Sequence, residues 1–122
     1  MSDNEVLNPA EIESLIRRFA GEIAQGVKAV SQAHQRFKER TRLYDHAYAV
    51  AYMAHVGPQT EKKYAAEKAT QVERGEADAA EVAFRHAERQ MKALEIQLSA
   101  AQTINKSVMS MYGAAGHSGR GQ

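Results

Sequence analysis

The side chains able to do chemistry are few and poorly grouped. The five histidines are His34, His46, His55, His86 and His117, and none lies in a His-Glu-x-x-His arrangement or within metal-ligand spacing of a carboxylate pair. Asp45 and His46 are adjacent, but neighbouring residues of a helix point in different directions, so they form no dyad on a helical face. His34 and His55 read as structural or surface residues. Ser14, Ser31, Ser99, Ser107 and Ser110 are the hydroxyl nucleophiles of the helical region, and none sits on a glycine-flanked elbow after a strand. The glycine-rich "GHSGRG" has neither the strand nor the helix that a phosphate loop requires. A carboxylate-bridged metal centre in a bundle needs repeated Glu-x-x-His pairs on facing helices, and the chain has no such repeat. The expectation is a protein that is not an enzyme, with no catalytic residues, no metal site and no cofactor.

The strongest polar feature is "HQRFKERTR", which gathers Arg36, Lys38, Arg40 and Arg42, offset by Glu39 and Asp45, with Tyr44 and Tyr48 just beyond. Basic groups beside aromatic rings can hold a single strand by phosphate contacts and base stacking. Lys62 and Lys63 extend the patch, diluted by Glu61 and Glu67. Against this, Phe37 and Tyr44 fall on an apolar helical row, where they serve more simply as core. The patch is thus either a nucleic-acid contact, a solvated face, or one side of a salt-bridged interface.

The elements that position these residues are helices. Alanine, glutamate, glutamine, lysine and arginine are abundant, and Pro9 and Pro58 are the only prolines, each where a helix would begin. Asn8 offers an N-cap with Glu11 at capping-box spacing. From there Ile16, Ile23, Val30, Phe37, Tyr44 and Ala51 form an unbroken seven-residue series. The positions four further on, Ala20, Val27, His34, Thr41, Tyr48 and His55, make a patchier companion row. Gly21 and Gly26 fall inside this helix without breaking its rhythm. Each either permits close approach of another helix or is merely tolerated.

"HVGPQTEKK" is the one strong interior turn signal: Gly57 can end a helix in the left-handed region and Pro58 stops simple continuation. A second helix follows, thin in apolar residues at first and open to a break or fraying around Gly75. It then carries the series Ala80, Ala87, Leu94, Ala101 and Val108 with the companions Phe84, Met91, Leu98, Asn105 and Tyr112. Paired rows sustained this long are coiled-coil seams. Asn105 either fixes register or faces water as the seam opens.

These patterns predict an all-α fold: a long antiparallel two-helix hairpin, coiled-coil-like, assembling as an oligomer into a helical bundle. They predict a flexible N-terminus over 1–8 and a hairpin over 9–112. Within the hairpin, helix 1 covers about 9–55, the hinge 56–59 and helix 2 about 60–112, leaving a disordered tail over 113–122. At roughly 1.5 Å per residue the helices would be about 70 to 80 Å long.

A chain of 122 residues is one domain by length, and it carries 16 basic against 15 acidic residues, so no global field gathers a polyanion. It has no cysteine, which excludes disulfides and thiolate chemistry. No apolar run is long enough to span a bilayer, nothing near the start resembles a secretory signal, and the basic face is not continuous as in an interfacial helix. The expected setting is cytoplasmic, with no membrane partner.

"YDHAYAVAYMAHVGPQTEKKYAAEKAT" and "ERQMKALEIQLSAAQTINKSVMSMYG" resemble, in overall style, small helical coiled-coil accessory proteins encoded by bacteriophages and prophages, often near recombination or replication genes. The resemblance covers residues 42 to 113. It implies a helical scaffold that engages a recombination or replication protein, or single-stranded DNA itself. Secreted two-helix effectors of the WXG type share the size, but this chain has no tryptophan.

Three functional expectations follow. The first is a non-enzymatic interaction or assembly protein, associating with itself and a protein partner through Ile16, Ile23, Val30, Phe37, Tyr44, Phe84, Met91, Leu94 and Leu98. The second is a single-stranded nucleic-acid accessory using Arg36, Lys38, Arg40, Arg42, Lys62 and Lys63. The third is an inhibitor of a host enzyme, which sequence does not separate from the first.

Overall fold

The computed structural model describes residues 8–120, the backbone alone from 114 onward. It is all-α. Three helices, α1 (Pro9–Ala54), α2 (Gln59–Ala69) and α3 (Gln71–Arg120), replace the expected two-helix hairpin. The expectations for residues 1–7 and 121–122 lie outside the described residues, and α3 continues through 113–120, where glycine-rich composition predicts a disordered tail.

α1 starts where its capping chemistry puts it. The Asn8 side-chain oxygen accepts the Glu11 amide hydrogen at 2.9 Å, and the Asn8 side-chain amide donates to the Glu11 carboxylate at 3.0 Å. The helix ends before a turn in which Gly57 holds φ at 152°. Pro58 then accepts the first helical bond of α2, from the Lys62 amide, at 3.1 Å.

The correction to the two-helix expectation is a break at Thr70, not at Gly75. The Thr70 hydroxyl donates to the Ala66 carbonyl at 2.7 Å, competing with the backbone for the same oxygen, which also receives the Thr70 amide at 3.1 Å. Hydroxyls that bond back in this way bend helices. Thr70 leaves helical geometry, with φ −116° and ψ 22°. The ladder resumes with the Arg74 amide donating to the Thr70 carbonyl at 2.9 Å. Gly75 is helical, with open space where a Cβ would be. The break falls at a buried threonine and leaves no mark in composition; Thr41 and Thr103 make the same back-bond, to Phe37 and Ser99, within unbroken helices.

The chain divides into two compact units, a terminal one of Met1–Gly26 with Gln90–Gln122 and a central one of Val27–Arg89. In the terminal unit the buried apolar residues are Ile12, Phe19, Ala101 and Val108. A Cβ on Gly26 would lie 3.1 Å from the Met91 sulfur, so this glycine is a point of close approach, while Gly21 faces open space.

In the central unit α1 runs antiparallel to the first part of α3. Phe84 lies against Phe37, with ring centroids 6.0 Å apart, and against His34 at 4.7 Å. Further along, Arg40 pairs with Glu76 at 2.6 Å. Ala66, Ala77, Ala80 and Phe84 are buried here.

A candidate helix-docking surface

The buried stripe of α1 broadens towards its C-terminal end. Up to Arg40 the companions of the Ile16–Ile23–Val30–Phe37 row lie three residues on: Phe19, Gly26, Ala33 and Arg40 are buried or half-buried, while Ala20, Val27 and His34 are exposed. From Thr41 the protected residues include Tyr48, His55 and Tyr52, on the other side of the same row. Tyr44, Tyr48 and Tyr52 form a ladder with centroids 6.1 and 6.3 Å apart, and the Lys62 ammonium of α2 sits 5.7 Å over the Tyr52 ring. α2 thus covers the tyrosine side of the last turns of α1. The opposite side is left open.

On that open side a groove of about 610 Å³ runs between α1 and α3 of the central unit. Ala33 and Ala80 line it beside Ala29 and Ala83, with Gln32, Gln35, Arg36, Glu39 and Arg40 along α1. An adjoining hollow shares Arg36, Arg40, Ala80 and Ala83 and is closed by Glu76 and Ala79. Small side chains let another backbone come close, and the polar rim supplies partners for its side chains. The α1 wall of the groove, Ala29, Gln32, Arg36 and Glu39, continues at the same three-and-four spacing into Leu43, His46, Val50 and Met53, all exposed.

The seam residues singled out in the sequence face into the chain: Phe84 is buried, and Ile16, Ile23, Val30, Phe37, Tyr44, Met91, Leu94 and Leu98 are half-buried. Of the α3 companion rows, Asn105 is half-buried and Tyr112 is exposed.

The basic residues are not gathered into one patch. Arg36, Lys38 and Arg42 are exposed, but consecutive members of the series stand about 200° apart around the helix. Arg40 is engaged by Glu76 and Lys62 by Tyr52, while Lys63 is exposed on α2. His55 and Glu61 face each other across the turn at 3.6 Å, too long for a hydrogen bond, and the His55 Nε2 is buried without a partner. Among the described residues no group of three or more His, Asp or Glu side chains is placed to hold a metal.

Sequence reasoning missed the Leu43–Met53 stripe because its rhythm is hidden under the stronger Ile16–Ala51 row. The regular spacing of Leu43, His46, Val50 and Met53 was the available signal. Comparison with protein families, characterised proteins and solved structures finds no match for this chain.

Proposed function

We propose that this protein is a non-enzymatic interaction or assembly protein that works by receiving a helix along the open face of its central unit. The observation that carries this reading is the second helical stripe of α1, regular in spacing and exposed, running beside an alanine-lined groove. The phage-accessory setting implied by the sequence resemblance rests on that resemblance alone.

A photo-crosslinking side chain at Gln32 or Ala83, both exposed along the groove, tests the proposal in cells making the protein. The expected result is covalent protein adducts whose linked residues recur every three to four positions on one peptide. A probe at Lys38, on another face of α1, should give none. Absence of groove adducts, or equal labelling from Lys38, would overturn the reading.

Single-stranded nucleic acid is the weaker alternative, because the basic side chains are dispersed around α1 and two of them are engaged within the chain.

A further inference from the structure

Leu43, Val50 and Met53 are 49, 56 and 77% exposed, an unusual state for three large apolar side chains in the spacing of a helix seam. His46 completes the stripe. The two ends of this segment are of opposite sign, Arg42 at one and the terminal carbonyls of α1 at the other, so it can complement a copy of itself.

We propose that the Leu43–Met53 stripe docks a second copy of this chain, α1 against α1 and antiparallel, with the two-fold axis at the level of Tyr48 but on the opposite, open face of the helix. This rests on the reading of that face of α1 as helix-receiving: the second copy's α1 covers its Arg42–Ala54 end, beyond the alanine-lined groove. In antiparallel seams, layers form between unlike heptad positions. Leu43 then meets the second copy's Met53, and His46 meets its Val50, so every layer contains an apolar side chain. In this register Arg42 lies opposite Ala54 of the second copy. Arg42 is exposed and has no ion-pair partner within 4.0 Å among the described residues. The last turn of α1 carries no basic residue, so its terminal carbonyls present partial negative charge without a nearby cation on their own helix. Arg42 of each copy brings a second cation to that helix end, beside the Lys62 that α2 already places over Tyr52. A parallel, in-register pair would instead set Arg36 and Glu39 against their own duplicates and place two imidazoles face to face.

The chain contains no cysteine, so introduced thiols report alone. Full-length Leu43→Cys and Met53→Cys are purified separately and oxidised mildly, alone and mixed. The expected outcome is a disulfide-linked species of twice the chain mass in the mixture and little in either variant alone. Equal linking in the single variants would overturn the antiparallel register. Sedimentation of the wild type across about 1 to 100 µM should show dimer formation, weakened at least about tenfold by Val50→Glu, which buries a charge in the seam. Circular dichroism checks that this exposed substitution leaves the fold intact. A monomer at every concentration, or a dimer indifferent to Val50→Glu, overturns the second-copy proposal. Adducts of a different protein at Gln32 and Ala83 would then leave the helix-receiving role standing, whereas absence of adducts would remove both.

Discussion

At Gly57 the backbone conformation, more than any neighbour, disfavours a side chain. The backbone sits at φ 152°, and a Cβ would lie 2.5 Å from the Glu61 carboxylate. Gly57→Ala should therefore destabilise the protein by about 1 to 2 kcal/mol in urea unfolding. Gly21 is the converse: it is helical, exposed and faces open space. Gly21→Ala should stabilise by about 1 kcal/mol, raising Tm by a few degrees. Gly26 lies against Met91, and the same substitution there gains helix propensity only if the methionine yields. From sequence the two glycines are indistinguishable, since each preserves the apolar rhythm and only the partner helix tells them apart. Asn8 and Glu11 were readable, because a cap is a local arrangement written in consecutive residues. The Arg40–Glu76 pair was not, as its members are 36 positions apart. Part-exposed as it is, a double-mutant cycle on that pair should give a coupling below about 1 kcal/mol that shrinks with salt.

At the scale of elements, the all-α character and the seam of α3 follow from spacing alone. Ala80, Phe84, Ala101 and Val108 are buried, and Ala87, Met91, Leu94 and Leu98 half-buried, as one regular stripe. The seam of α1 was legible in one row only. Its second row is made of Gly26, Ala33, Arg40 and Ala47, residues whose small size or charge hides their role. The break before α3 was illegible for a different reason. A threonine within a helical pattern is ordinary, and neither its burial nor the bond its hydroxyl makes to Ala66 can be read from sequence. The amides of Gln71, Val72 and Glu73 have no bond to a preceding turn. They should exchange hydrogen rapidly for interior positions of so long a helical stretch. Thr70→Ala removes the competing hydroxyl and should slow exchange at those three amides as α2 and α3 merge. Unchanged exchange would show that packing, and not Thr70, imposes the break.

Across the whole molecule the formal charge is +1, and no described helix is long and apolar enough to cross a membrane. With basic residues dispersed and partly engaged, a labelled single-stranded oligonucleotide should show no saturable change in fluorescence anisotropy even at low salt. Steeply salt-dependent binding lost on changing Arg36, Arg40 and Arg42 to alanine would restore the nucleic-acid alternative. The division into units also sets an order of events in time. The central unit is one continuous stretch, Val27–Arg89, whereas the terminal unit joins segments from both ends of the chain. Closing a loop costs entropy that grows with the length of free chain. The continuous unit can therefore nucleate at the Gly57 turn and zip outward, and once it has formed, the loop that the terminal segments must close is already shortened. In refolding followed by pulsed hydrogen exchange, amides of 27–89 should gain protection before those of 9–26 and 90–113. The reverse order would mean that the two ends of the chain find each other without help from the middle.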